Sequence, residues 1–148
     1  MKILVVNGPN LQLLGKREVD VYGKTSLKQI ERNLENLAAQ IGDIDLAFFQ
    51  SNHEGWILDE IASTFDKKYD GIIINPAAFT HTSVAIYDAL KAVNVPAIEV
   101  HISNVYKREE FRKQSITAAA CNGQITGLGI KGYELALMAL VDIIKKKR

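Results

Sequence analysis

The chain has 148 residues, of which 47% are hydrophobic and 24% are charged, and its formal net charge at pH 7 is +1. This length and composition exclude disordered and fibrous proteins, and they fit one globular domain over residues 1–148. The near-neutral charge offers no basic field to a phosphate backbone, and no apolar run reaches the roughly 18–20 residues that span a bilayer. We therefore expect a cytoplasmic protein without nucleic-acid or membrane partners.

Strands and helices are predicted to alternate along the chain. Runs that are apolar almost throughout predict parallel strands that are covered on both faces. Apolar residues that recur at three- and four-residue spacing predict helices between them. In chain order, the predicted elements are a strand at Ile3–Asn7, a helix at Leu27–Ile41, a strand at Leu46–Gln50, a helix with the stripe Ile57, Ile61 and Phe65, a strand at Gly71–Asn75, a helix with the stripe Val84, Ala85, Leu90 and Val93, strands at Ala97–His101 and Gly123–Gly127, and a helix at Tyr133–Lys147.

This alternation predicts a doubly wound α/β domain with a five-stranded parallel sheet and helices on both faces. Ser26 and Gln29 form a capping-box pattern at the start of the first helix, and Gly42 is a plausible stop. Residues 8–25 form the one long connection without convincing periodicity. Because long loops are usually functional and this loop follows the first strand, we expect it over the carboxyl edge of the sheet, where α/β sheets bind ligands.

Polar side chains follow the predicted strands. Because parallel strands end on the same edge of a sheet, these side chains favour a polar, uncharged pocket for a hydroxylated small molecule. The alternative is that they are ordinary turn residues and helix caps. The residues concerned are all three histidines of the chain, His53, His81 and His101, and the asparagines Asn10, Asn52 and Asn75.

Glu99 and His101 are the sharpest pair of candidates. Strand alternation places their side chains on the same side of one strand. A carboxylate beside an imidazole fixes the ring tautomer and favours the protonated ring, which suits a general acid. The alternative is an ion pair on the protein surface.

The long loop contains a candidate base, Tyr22, five residues after Arg17. A free tyrosine has a pKa of about 10 and is a poor base at neutral pH. A nearby cation lowers such a pKa by roughly 1–3 pH units, which brings a phenol into useful range. Spacing alone does not show that the two side chains meet, and without a precedent Tyr22 reads more simply as a residue that packs the loop.

Several ligand motifs are absent from the sequence. The glycine frames of dinucleotide and P-loop sites are missing, and no H-E-x-x-H or comparable spacing supports zinc. We therefore expect no cofactor and no metal.

Taken together, the motifs resemble those of type II 3-dehydroquinate dehydratases over essentially the whole chain and in the same order. A single tetrapeptide would carry little weight, whereas six or more motifs in register are highly specific. The matching segments are Asn7–Leu11, Arg17–Glu18, Tyr22–Gly23, Gln50–Gly55, Ile74–Pro76, Thr80–Ser83, Glu99–Asn104, Arg108–Arg112 and Gly127–Gly129.

The resemblance implies a flavodoxin-like fold and the reversible anti dehydration of 3-dehydroquinate to 3-dehydroshikimate through an enolate, with neither metal nor Schiff base. This step serves both aromatic amino acid biosynthesis in the shikimate pathway and quinate breakdown. The resemblance also implies a lid at about residues 8–25 and a homo-oligomer, a dodecamer of four trimers.

The resemblance further implies roles for individual residues. Tyr22 would be the base, with its phenolate favoured by Arg17, and His101, supported by Glu99, would be the acid. The other implied roles belong to Asn10, which helps hold a water at the enolate oxygen; Asn75 and the backbone amides of Ile102 and Ser103, which bind the carboxylate; His81 and Arg112, which contact ring hydroxyls; and Asp88, which reaches a neighbouring subunit's site.

Four positions depart from the family pattern. Val19 stands where proline is common, Gln12 where asparagine is frequent, and Ala77 and Phe79 where glycine and tyrosine are common. None of them is a proposed acid or base. A non-catalytic, flavodoxin-like module that binds a small molecule is the alternative. A Schiff-base dehydroquinase is a further rival, but no predicted strand end supplies its lysine.

Overall fold

The computed structural model describes residues 1–16 and 18–147. It contains a five-stranded parallel sheet with the strand order β2-β1-β3-β4-β5. All five predicted strands are confirmed, with ends that differ by no more than one residue; the last strand stops before Gly127, whose φ is 83°. The strands are β1 (Lys2–Asn7), β2 (Asp45–Gln50), β3 (Gly71–Asn75), β4 (Ala97–His101) and β5 (Gly123–Thr126).

The sheet is covered on both faces, as predicted. In β1, Ile3 and Val5 belong to one hydrophobic cluster, and Leu4 and Val6 belong to the other. This division follows from the two-residue period of a strand. The first cluster is completed by the second and last helices of the chain, and the second cluster by the helices that follow β2 and β3.

Six α-helices lie within residues 1–16 and 18–147, and none of them is long and apolar enough to cross a membrane. Ser26 caps the second helix by accepting a hydrogen bond from the Gln29 amide, and Gly42 follows its end, as predicted. The helices are α1 (Val19–Tyr22), α2 (Leu27–Ile41), α3 (Glu54–Ala62), α4 (Thr64–Lys67), α5 (Val84–Val93) and α6 (Lys131–Lys147).

Two predicted helix stripes were wrong at their ends. Phe65 is 63% exposed, because α3 ends at Ala62 and the separate helix α4 does not continue its buried face. Val84 is 58% exposed at the first turn of α5, and Ala85 is exposed as well. The buried face of α5 is instead formed by Ile86, Leu90 and Val93.

The long connection after β1 has more structure than predicted. It contains a 3-10 turn at Leu11–Leu13 and the short helix α1, and Leu11 and Leu14 are buried in the core. Its beginning is held tightly, because a side-chain carbon on Gly8 would lie 2.4 Å from the Pro76 carbonyl oxygen. The Gln12 side chain accepts a hydrogen bond of 3.0 Å from Gln50 at the end of β2. These contacts fix the first half of the loop over the carboxyl edge of the sheet.

Candidate active site

A cleft lies at the carboxyl edge of the sheet, where β1, β3 and β4 end. The loop after β1, the turn after β3, the end of β4 and the segment that follows it all contribute side chains. The cleft brings together most of the residues that the sequence predicted. Those that line it are Asn10, Tyr22, Asn75, His81, His101, Ile102, Ser103 and Arg112.

Two of the predicted site residues do not line this cleft. Glu99 is fully buried behind His101 and does not line the cleft. Asp88 is exposed on α5, away from the cleft of its own chain. Arg17 lies outside the described residues.

The expectation of an uncharged pocket was wrong. His53 and Asn52 do not line the cleft, whereas Arg108 and Arg112 do. His53 directly precedes α3 instead, with its ring 4.4 Å from that of Trp56. Asn52 supports the cleft from outside, because its side-chain oxygen accepts a 2.9 Å hydrogen bond from the Asn10 backbone amide.

The Glu99 carboxylate is held by five side-chain donors. His101 Nε2 lies 2.7 Å from Glu99 Oε1, as strand alternation predicted. Burial on its own would raise the pKa of Glu99, but hydrogen bonds, led by those from His101 and Thr117, lower it to about 2. The remaining contacts on this carboxylate are Thr80 Oγ1 at 2.7 Å, Ser115 Oγ at 2.9 Å, Thr117 Oγ1 at 2.5 Å and Gln124 Nε2 at 2.9 Å.

This arrangement determines the orientation of the His101 ring. Since an ionised carboxylate only accepts hydrogen bonds, His101 Nε2 carries a hydrogen and donates a hydrogen bond to Glu99 Oε1. Nδ1 is then the ring nitrogen left for a ligand in the cleft.

The low pKa of Glu99 predicts a pH dependence of stability. Its carboxylate contributes stability above about pH 4.5, the usual pKa, and this contribution is lost as the pH falls towards its folded pKa of about 2. Between pH 5 and pH 3, the free energy of unfolding should therefore fall by roughly 2 kcal/mol more in the wild type than in Glu99→Gln. Urea unfolding of both proteins at pH 5, 4 and 3 measures this difference, and parallel curves would contradict the expectation.

Tyr22 is paired with an arginine that sequence reasoning did not assign. Arg108 Nη1 donates a 2.6 Å hydrogen bond to Tyr22 Oη, and its guanidinium carbon lies 5.4 Å from the centre of the tyrosine ring. A positive charge thus lies at the oxygen that becomes negative when the phenol loses its proton. Arg108 belongs to one of the motifs that carry the resemblance, but no local pattern points to a partner 86 residues away.

Asn75 is held by a buried network at the ends of β1 and β3. Its Nδ2 donates to Tyr133 Oη at 2.9 Å, its Oδ1 accepts from the Ala77 amide at 3.1 Å, and Tyr133 Oη donates to Asn7 Oδ1 at 2.7 Å. Burial raises the pKa of the Tyr133 phenol, so it stays neutral and serves as a structural donor. One hydrogen of Asn75 Nδ2 is left for the cleft.

Replacing Tyr133 with phenylalanine should destabilise the protein by about 1–3 kcal/mol, because the buried side chains of Asn7 and Asn75 would each lose a partner. Chemical denaturation measures this loss. Tyr106→Phe is the matched control, because Tyr106 is 57% exposed and its removal should change stability by less than about 0.5 kcal/mol. Equal stability of the two variants would contradict the structural role of the Tyr133 hydroxyl.

His81 and Arg112 form the outer wall of the cleft. His81 Nδ1 donates to the Gln114 carbonyl oxygen at 2.7 Å, which leaves Nε2 for a ligand. Arg112 Nε donates to Glu109 Oε2 at 2.8 Å, which leaves its terminal nitrogens for a ligand.

Among residues 1–16 and 18–147, no three His, Cys, Asp or Glu side chains are grouped so that they could hold a metal ion. The cleft therefore offers hydrogen-bond donors and two positive charges to an anionic, oxygen-rich ligand.

Comparison with known proteins identifies similar chains. A family model described as Dehydroquinase class II matches residues 1–141. The 3-dehydroquinate dehydratase of Caldicellulosiruptor saccharolyticus is 57% identical over 143 residues, which cover 97% of this chain and 98% of that protein. The enzyme of the same name from Carboxydothermus hydrogenoformans is 53% identical and covers 99% of this chain and 94% of its own. The crystal structure of a type II dehydroquinase from Butyrivibrio crossotus has a TM-score of 0.93 at 48% identity, covering 95% of this chain and 97% of that one.

Proposed function

Because this chain belongs to the class II dehydroquinase family, we propose that it catalyses the reversible dehydration of 3-dehydroquinate to 3-dehydroshikimate. The observation that carries the chemistry is the presence in one cleft of a tyrosine oxygen paired with an arginine and a histidine backed by a buried carboxylate. A binding module without catalysis is not favoured, because the similar proteins are named as enzymes and such a module does not need this acid–base pairing.

In the first step, Tyr22 acts as the base. Its phenolate takes the proton from the carbon that lies between the ketone and the carbon bearing the leaving hydroxyl. Arg108 supports this role, because its guanidinium donates to the phenol oxygen and stabilises negative charge there. Arg17 is proposed to add a second positive charge. The electrons of the C–H bond move into an enolate, whose oxygen is stabilised by a water that Asn10 helps to hold.

In the second step, His101 acts as the acid. The enolate re-forms the ketone, the C–O bond to the leaving hydroxyl breaks, and the protonated ring delivers a proton from Nδ1, so that water departs. Glu99 supports this step because it accepts a hydrogen bond from Nε2 and so fixes the ring with Nδ1 left for the substrate. Solvent then restores the proton to His101 and removes the one gained by Tyr22.

The remaining predicted residues bind the substrate in this proposal. Asn75, with its orientation held by Tyr133, binds the carboxylate together with the backbone amides of Ile102 and Ser103. His81 Nε2 and the terminal nitrogens of Arg112 contact ring hydroxyls. The segment at about residues 8–25 acts as a lid in this proposal: its first half is anchored at the sheet edge, and its second half carries Arg17 and Tyr22 and excludes water from the enolate.

We also propose a dodecamer of four trimers that acts in the cytoplasm, on the strength of the family resemblance. The exposed position of Asp88 on α5 is compatible with its reaching a neighbouring subunit's site. Light scattering should give twelve times the mass of the single chain, and a monomer or simple dimer would contradict this assembly. Cell fractionation tests the location.

Stereospecific labelling tests the proposed reaction. 3-Dehydroquinate is prepared in two forms. Each carries deuterium in place of one of the two hydrogens on the carbon between the ketone and the carbon that bears the leaving hydroxyl. Mass spectrometry of the product should show loss of the deuterium that lies anti to the hydroxyl and retention of the other. Loss of the syn label, or a covalent adduct on the protein after borohydride treatment with substrate, would contradict the proposal and favour Schiff-base chemistry.

A further inference from the structure

One carboxylate joins the two arginines of the cleft. Glu109 Oε2 lies 2.8 Å from Arg112 Nε and 3.7 Å from Arg108 Nε. Arg108 in turn donates to Tyr22 through its Nη1. Each arginine thus meets Glu109 with its Nε, and Arg108 Nη2 and both terminal nitrogens of Arg112 are left for the cleft. Glu109 does not itself line the cleft. It therefore contacts Arg108 and Arg112 on the side that faces away from the cleft.

The local backbone favours this arrangement. Glu109 directly precedes the 3-10 turn Glu110–Arg112, and the Arg112 amide donates to the Glu109 carbonyl oxygen at 2.9 Å. This turn brings the Glu109 and Arg112 side chains together. Arginine side chains otherwise lose considerable rotamer entropy when they are fixed, and a shared carboxylate that holds both of them reduces the entropy lost when the substrate binds.

We propose that Glu109 is a positioning residue that orients Arg108 towards Tyr22 and Arg112 towards the substrate. The expected effect of Glu109 on turnover rests on the proposed function, whereas its effect on the orientation of the two arginines does not. Glu109 contacts no reacting atom and acts only through the two arginines. Its loss should therefore affect both substrate binding, through Arg112, and proton removal, through Arg108.

The neighbouring Glu110 offers a matched control. Its carboxylate lies in the same turn, is 86% exposed and pairs with Lys113 Nζ at 2.6 Å. It does not line the cleft, and in the described part of the chain its carboxylate forms no ion pair with either arginine. Glu109→Ala and Glu110→Ala remove the same group and the same charge from adjacent surface positions, so they should have similar thermal stability.

Steady-state kinetics and crystal structures of these variants test the proposal. Glu109→Ala should lower kcat/KM roughly tenfold, through both kcat and KM, whereas Glu110→Ala should stay within about twofold of the wild type. Glu109→Gln should recover part of the KM effect, because its amide oxygen still accepts from Arg112 Nε. In an Arg112→Ala background, the effect of Glu109→Ala on KM should disappear, since residues that act through one another are not additive.

Each outcome bears on one claim. Equal losses in Glu109→Ala and Glu110→Ala, or an undiminished KM effect in the Arg112→Ala background, would overturn the positioning role. Crystal structures should show Arg108 and Arg112 in single rotamers in the wild type and displaced or disordered in Glu109→Ala, and unchanged arginines would overturn it as well. A wild-type protein that does not dehydrate 3-dehydroquinate would instead refute the proposed function, and the crystal structures would still decide the role of Glu109.

Discussion

Replacing Tyr22 with phenylalanine is expected to lower kcat by roughly 10²- to 10⁴-fold, the range typical of a lost general base. The half-buried ring packs against the core, and phenylalanine preserves that contact. What disappears is the oxygen that accepts the hydrogen bond from Arg108. Steady-state turnover of 3-dehydroquinate measures the loss, and the dissociation constant of an unreactive substrate analogue should remain nearly unchanged.

Tyr106→Phe is the matched control for this variant. Tyr106 lies within the cleft-lining segment after β4, but its own side chain is 57% exposed and does not line the cleft. Its turnover should stay within about twofold of the wild type. If Tyr22→Phe retained comparable turnover, the reaction would have another base, and the role proposed for Tyr22 would be wrong.

Replacing His101 with glutamine should lower kcat by a similar factor, roughly 10²- to 10⁴-fold, because the proton donor to the leaving hydroxyl is lost. Glutamine is chosen because its amide can still donate to Glu99, whereas alanine would leave a buried carboxylate without its principal partner. Turnover of 3-dehydroquinate measures the effect, and circular dichroism establishes that the variant is folded.

His53→Gln provides the control of the same residue type. His53 follows another strand, β2, but its ring packs at a tilt against that of Trp56 and does not line the cleft. We expect its kcat to remain within about twofold of the wild type. Similar losses in the two histidine variants would indicate a structural effect and would contradict a specific role for His101 as the acid.

The fold could be predicted from the sequence wherever burial determined the pattern. β3 is buried at all five positions, and its short run of β-branched residues is typical of a strand that is covered on both faces. The errors lie at helix ends, because a stripe such as Ile57, Ile61 and Phe65 assumes one continuous helix axis. Helix α3 instead ends at Ala62, and the separate helix α4 begins at Thr64. Spacing carries no information about such a break.

The site could be predicted where its geometry is local. Glu99 and His101 are two residues apart on one strand, so alternation alone predicts their contact. Tyr22 and Arg108 are far apart in sequence, and only the folded loop over the sheet brings them together. Gln124 is an intermediate case. It is paired in register with Glu99 across β4 and β5, and a polar residue in that strand was the one available signal.

The most direct test is to mix the purified wild-type protein with 3-dehydroquinate and follow the ultraviolet absorbance of the conjugated enone. We expect the absorbance to rise in proportion to the enzyme concentration and to level off at the dehydration equilibrium. If a folded sample gives no rise at any enzyme concentration, this chain does not catalyse the dehydration, and the mechanism proposed for its cleft is wrong.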